Sequence, residues 1–166
     1  MDKIARMREL GELLRNASRA YYQQDQEIMS NLEYDKLYDE LEALDFALAS
    51  SAVKEAVTRH AGTISEAYTM MGLTYVQEGK NLTRVKQIVV TGGSLIHTKR
   101  TEAIASHALF SPSEASSLRP REANVWVDRT YILAAMGLLS SHYPDVALRI
   151  MKKELEYHGH SQQTLN

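Results

Sequence analysis

Between Ser30 and Ala61 the chain contains neither proline nor glycine, while apolar residues recur at Leu37, Leu41, Leu44, Leu48, Ala52, Val53, Ala56 and Val57. Steps of three and four draw one face of an α-helix, and Ser30 followed three residues later by Glu33 is a capping-box start. The spacing predicts one unbroken helix running up to Gly62, long for a globular protein. Ile4, Met7, Leu10, Leu13, Leu14, Ala17 and Tyr21 draw a second stripe between Asp2 and Gln24. Gly11 inside that stripe costs about 1 kcal/mol relative to alanine, so packing has to hold this first helix. With Asp25 to Met29 as connector, the chain opens on a helical hairpin.

Past Gly62 the pattern turns to short strands. Thr63–Thr69 and Leu73–Gln77, on either side of Met70-Met71-Gly72, predict a β-hairpin. Leu82–Val85 predicts one helical turn. Val85–Val90 is the strongest strand signal, β-branched and closed by Thr91-Gly92-Gly93. Thr101–Leu109 has helical spacing, and Ser111–Pro120 reads as a loop. Asp128–Tyr143 and Asp145–His158 predict two helices split by Pro144, which suits the first turn of the second. The polar residues 159–166 predict a frayed tail. The fold class expected is α+β and helix-rich.

The 166 residues are enough to bury a sizeable core. The formal net charge is −2; residues 1–44 carry −4 and residues 45–166 carry +2. Neither part is a basic surface, so no nucleic-acid partner is expected. The absence of cysteine excludes disulfides, thiolate nucleophiles and cysteine metal sites. No apolar run approaches the roughly 20 residues that span a bilayer, and the charged start has no hydrophobic stretch behind it. A cytoplasmic protein without membrane association is expected.

Tyr21-Tyr22, followed by Ser30-Asn31-Leu32-Glu33-Tyr34-Asp35 in a helix–connector–helix setting, resembles the N-terminal domain of the NAD-dependent DNA ligases over residues 1–44. In that family the hairpin folds over the nicotinamide mononucleotide half of NAD and assists transfer of AMP to a lysine in the next domain. The resemblance implies nicotinamide-nucleotide contacts at Tyr21, Tyr22, Tyr34 and Asp35, with Asn31 standing where an aspartate is often found. The physics is compatible, since aromatic faces stack on rings and carboxylates bond ribose hydroxyls. Tyr21, Tyr34, Leu37 and Tyr38 equally suit the half-buried seam of a two-helix hairpin. The ligase reaction needs a lysine in a Lys-x-Asp-Gly setting, and the chain has no such tetrapeptide. Ligation is excluded on parts alone.

Residues Ala52–Gly62, Gln77–Thr83, Val89–Arg100 and Trp126–Leu155 are similar to the C-terminal part of the glutamate mutase-associated protein family, over residues 45–165. That family is thought to be an actin-like ATPase that maintains or reactivates the adenosylcobalamin-dependent glutamate mutase. The resemblance implies a partial actin-like α/β subdomain with a short mixed sheet at 45–158. It also implies nucleotide contacts at Gly92 and Gly93 within the complete fold, where glycine lets backbone approach a ligand. The same pair suits an ordinary strand-to-helix turn that needs positive φ. The Asp-x-Gly phosphate loop of the other lobe has no counterpart here, so ATP hydrolysis is not expected.

The remaining candidates have plain readings. His158-Gly159-His160 reads as a solvated tail. Lys99-Arg100, Arg119-Pro120-Arg121 and Arg149 to Lys153 read as solvated surface, and Trp126 as core. No nucleophile-elbow pattern surrounds Ser94, Ser111 or Ser113. The expectation is a chain that is not an enzyme, with no catalytic residue, no metal site and no resident cofactor. Its main functional reading is a protein-binding chimera of two incomplete enzyme fragments, joined by recombination or artificial assembly, acting as an inhibitor or antidote of a partner protein. The alternatives are an accessory of the cobalamin mutase, or a weak binder of NAD, nicotinamide mononucleotide or ATP.

Overall fold

The computed structural model describes residues 2–162. They form a helix-rich α+β fold with small mixed sheets. The chain divides into two compact units, Met1–Leu48 and Ala49–Asn166. The boundary falls inside one helix, four residues past the junction that the resemblances imply at 44.

In the first unit, α1 spans Lys3–Gln24 and the opening part of α2, which spans Asn31–His60, returns alongside it. Asp2 caps α1 by accepting the Ile4 N–H at 3.0 Å. Asp25 ends the helix in the left-handed region at φ 51°, and Gln26 N–H donates to the Ala20 carbonyl at 3.0 Å. Ser30 Oγ then accepts the Glu33 N–H at 3.2 Å, the capping contact that the sequence predicts. Two cross-links set the antiparallel pairing. Arg6 grips Glu40 with both Nε and Nη2 at 2.8 Å, and Ser18 Oγ lies 3.0 Å from the Tyr34 hydroxyl. Leu10, Leu14, Ala17 and Ala20 are buried at helical spacing, whereas Leu13 of the same expected stripe is exposed.

The second unit holds two sheets. β1 (Thr63–Thr69) and β2 (Gly72–Glu78) form an antiparallel hairpin. Its base needs Gly62, since a Cβ there would stand 2.2 Å from the Glu78 carbonyl oxygen. In the other sheet, β3 (Gln87–Val90) lies parallel to β4 (Glu122–Val127), and β4 lies antiparallel to β5 (Glu156–Gln162). Short helices α3 (Gly93–Ile96) and α4 (Thr101–Ser106) lie on the path between the parallel strands. Burial alternates along β4 as the pleat requires: Ala123, Val125 and Val127 are buried, while Asn124 and Trp126 are half-buried. Val90, Ile96, Ala105, Val125 and Val127 make the core cluster. Helices α5 (Ile132–Ser140) and α6 (Pro144–Glu154) pack against each other, with Pro144 in the first turn of α6 as expected.

Several expectations need correction. The predicted helix to His158 stops at Glu154, and residues 156–162 join the sheet as β5. The frayed tail is therefore corrected over 159–162, because pairing with β4 takes up that backbone; residues 163–166 lie outside the described residues. His160 Nδ1 lies 2.9 Å from Asn124 Oδ1, and His158 Nε2 accepts from Arg129 Nη2 at 2.9 Å, so neither histidine belongs to a loose end. β4 was hidden inside a segment without a strand expectation, since its Glu122-Ala123-Asn124 opening carries little β propensity. Trp126 is half-buried on the face opposite Val125, where it meets Tyr157 edge-on and donates to Gln87. Arg119 is 1% exposed, not solvated. Its Nη2 donates to Glu114 at 2.8 Å, and Lys54 bonds the other oxygen of that carboxylate at 2.7 Å.

Candidate functional site

The helix–connector–helix turn of the first unit encloses a cleft of about 280 Å³, lined by Ala17, Ser18, Tyr21, Tyr22, Gln26, Glu27, Ile28, Met29, Asn31 and Tyr34. Its construction follows from local chemistry. Helical spacing brings Ser18, Tyr21 and Tyr22 to the last turns of α1. The left-handed Asp25 turns the connector back, and Ser30 restarts the helix so that Asn31 and Tyr34 stand at its first turn. The Ser18–Tyr34 hydrogen bond fixes one wall. Tyr21 and Tyr22 pack edge to face, with centroids 5.2 Å apart, and Tyr22 remains 82% exposed. A planar ring entering here would meet aromatic faces and the hydroxyls of Ser18 and Tyr34. The volume lies near the lower end of the roughly 300–1,000 Å³ of small-molecule sites.

Three of the four sequence candidates in this unit thus converge: Tyr21, Tyr22 and Tyr34 line one cleft. Asp35 is exposed on α2 and lies outside that lining set. The connector residues Gln26, Ile28 and Met29, and Ser18 on α1, had drawn no attention in the sequence. The available signal was the connector itself, whose shortness forces its side chains over the helix ends.

Gly92 and Gly93 occupy a different place, in the second unit. They follow β3 and open α3, while Asp128 follows the neighbouring parallel strand β4 and precedes α5. Gly92 has φ 103°, a conformation that glycine adopts at little cost, and open space surrounds a Cβ built there. The Asp128 carboxylate accepts the Ile132 N–H at 2.9 Å and the Leu133 N–H at 3.2 Å. It thereby satisfies the first two N–H groups of α5, which starts at Ile132, after the left-handed Tyr131 (φ 55°), instead of at Asp128. The carboxyl ends of adjacent parallel strands are where open α/β sheets place ligands.

Electrostatics is concentrated at three side-chain pairings. A side-chain hydrogen bond from Arg6 holds the Glu40 carboxyl below the usual carboxylate range. Lys54 does the same for Glu114, with Arg119 assisting against desolvation. Lys86 lowers Glu122. Among the described residues no group of three or more histidine, aspartate or glutamate side chains is arranged to hold a metal ion. No helix among them is long and apolar enough to cross a membrane.

The architecture defines a helix-rich α+β chain with an aromatic cleft at one helix turn and a strand-to-glycine turn beside a capped helix. The family model described as MutL protein matches residues 1–155, and the chain belongs to that family. Protein MutL of Clostridium tetanomorphum is 43% identical over 126 residues, which is 74% of this chain and 27% of that protein. The chain thus spans about a quarter of the length of this relative. A DNA ligase of Ruminiclostridium cellulolyticum is 59% identical over 44 residues, 26% of this chain and 7% of the ligase. A DNA ligase of Lachnoclostridium phytofermentans is 60% identical over 43 residues, with the same shares. No solved structure matches the chain.

Proposed function

We propose that this chain is a non-catalytic, protein-binding accessory of an adenosylcobalamin-dependent glutamate mutase. One observation carries the reading: the MutL protein family model runs over residues 1–155. Combined with the resemblance of residues 45–165 to the glutamate mutase-associated family, this favours the accessory role over that of inhibitor or antidote. The absence of Lys-x-Asp-Gly and Asp-x-Gly from the sequence supports a role without ligation or ATP hydrolysis. The reading predicts saturable retention of the purified chain on immobilised mutase. Loss to the flow-through at every concentration tried contradicts it.

A second reading has its own observation, the cleft shared by Tyr21, Tyr22 and Tyr34. It makes the first unit a weak binder of nicotinamide mononucleotide, in keeping with the local similarity to DNA ligases. Ligand that binds only the folded state raises the melting temperature by mass action. Millimolar nicotinamide mononucleotide then shifts the melt of the unaltered chain and leaves that of Tyr22→Ala unmoved. A flat response in both eliminates this reading. The joining of two gene fragments agrees with the two kinds of relative, although the family model extends through the segment that resembles the ligases.

A further inference from the structure

We infer that the free edge of β2 pairs with the same edge of a second copy of this chain, joining two hairpins into one four-stranded antiparallel sheet. Among the described residues β2 pairs with β1 alone, and every residue from Gly72 to Glu78 is exposed. The two-residue loop makes Thr69 and Gly72 the closing pair. The backbone N–H and C=O groups of Leu73, Tyr75 and Gln77 consequently point away from β1. A row of such groups is a template for another strand, and an isolated two-stranded hairpin is only marginally stable in water. Edges that must stay single are usually blunted by lysine, proline or a bulge. Residues 72–77 contain no charged residue and no proline, and the pairing with β1 runs without a register shift.

Paired with itself, this segment sets no like charges opposite each other, and on that ground a second copy is the occupant. In an antiparallel pairing centred on Tyr75, that tyrosine faces its own counterpart, Leu73 faces Gln77, Thr74 faces Val76 and Gly72 faces Glu78. Outward-pointing residues meet outward-pointing residues, so each of their N–H and C=O groups finds a partner. No carboxylate faces another carboxylate; each Glu78 meets a glycine. Such a two-fold arrangement closes on itself as an isologous dimer. The register also places Ile64, Tyr68, Leu73 and Tyr75 on one face of the hairpin, together with Glu66 and Gln77, and Tyr68 is 84% exposed. Pairing at β2 sets two of these faces side by side.

The chain has no cysteine, so Tyr75→Cys introduces a unique thiol. In the inferred pairing the two Cα atoms at this position are about 5.5 Å apart, within disulfide reach. Under mild oxidation Tyr75→Cys should form covalent dimer at least about tenfold faster than Ser65→Cys on exposed β1, reflecting raised effective concentration. Equal rates overturn the inference. Sedimentation of the unaltered chain should show a reversible dimer, and Tyr75→Pro, which removes an outward N–H, should return it to monomer. Should the proline variant misfold by circular dichroism, Thr74→Lys with Val76→Lys sets like charges opposite each other at the same edge and gives the same readout. A dimer that survives in the folded edge variant assigns association to another surface, and a strictly monomeric unaltered chain removes the dimer altogether; either result overturns the inference.

Discussion

The two sheets of the second unit have been built for different purposes. β3–β4–β5 encloses buried Val90, Val125 and Val127 and is covered on that face by Ile96 and Ala105. β1–β2 has no buried residue along either strand and ends in the fully exposed Met70 and Met71. Its backbone ladder is regular, yet no core rests on it. The first sheet stores the stability of the unit, because apolar area removed from water is the main favourable term in folding. The second contributes little to that store and leaves its residues available for contact. In a short chain, a regular element without a core is where interaction surfaces should be sought.

Substitution at matching residues sharpens this contrast most strongly. Val125→Ala should destabilise by about 2 kcal/mol, from lost transfer energy and the cavity left behind. Val76→Ala on exposed β2 should change stability by less than about 0.5 kcal/mol. Urea titrations of both variants test the difference, and equal costs would break the division into structural and exposed sheets. Asp128→Ala should follow at about 1–2 kcal/mol, since it strips two N–H groups at the start of α5 of their acceptor. Its effect on the thermal transition should exceed that of any single change on β1. Tyr34→Phe removes the Ser18 hydrogen bond in the first unit, for an expected loss of about 0.5–1.5 kcal/mol and a parallel loss of any shift with nicotinamide mononucleotide.

The smallest effect is that of acid. Glu40, Glu114 and Glu122 are all lowered from 4.5 by basic neighbours. A carboxyl lowered in the folded state contributes stability above its unfolded value and loses it as pH falls through the folded value. The melting temperature should therefore be insensitive to these groups at neutral pH and decline below about pH 4.5, with high salt reducing the part of the slope that comes from the solvent-accessible Glu40 and Glu122 pairings. Glu40→Gln should flatten part of that decline, and an unchanged slope would show that the Arg6 pairing carries none of it.

The helical elements were legible because their signals are local. The stripe from Leu37 to Val57, the Ser30 cap and the position of Pro144 each depend on residues within a turn or two. The β1–β2 hairpin was legible for the same reason. β4 and β5 were not, because their pairing joins residues such as Trp126 and Tyr157 that are far apart in sequence. The buried Arg119 was read as surface because its partner Glu114 sits in a serine- and proline-rich loop that gave no sign of folding back. Of the candidate cleft, Tyr21, Tyr22 and Tyr34 were visible as motif residues, whereas Ser18, Ile28 and Met29 became part of it only through the geometry of the turn. Of the Gly92-Gly93 pair, for which the sequence left a nucleotide contact and a positive-φ turn both open, Gly92 takes the positive φ, at 103°, and Gly93 does not.

The proposed accessory role rests on contact between this chain and the mutase. Isothermal titration of the purified chain into adenosylcobalamin-dependent glutamate mutase measures that contact directly. A saturable heat of binding, accompanied by no phosphate release from ATP and no adenylation by NAD, is the predicted result. Turnover of either nucleotide, or the absence of any binding heat with a correctly folded chain, would contradict it.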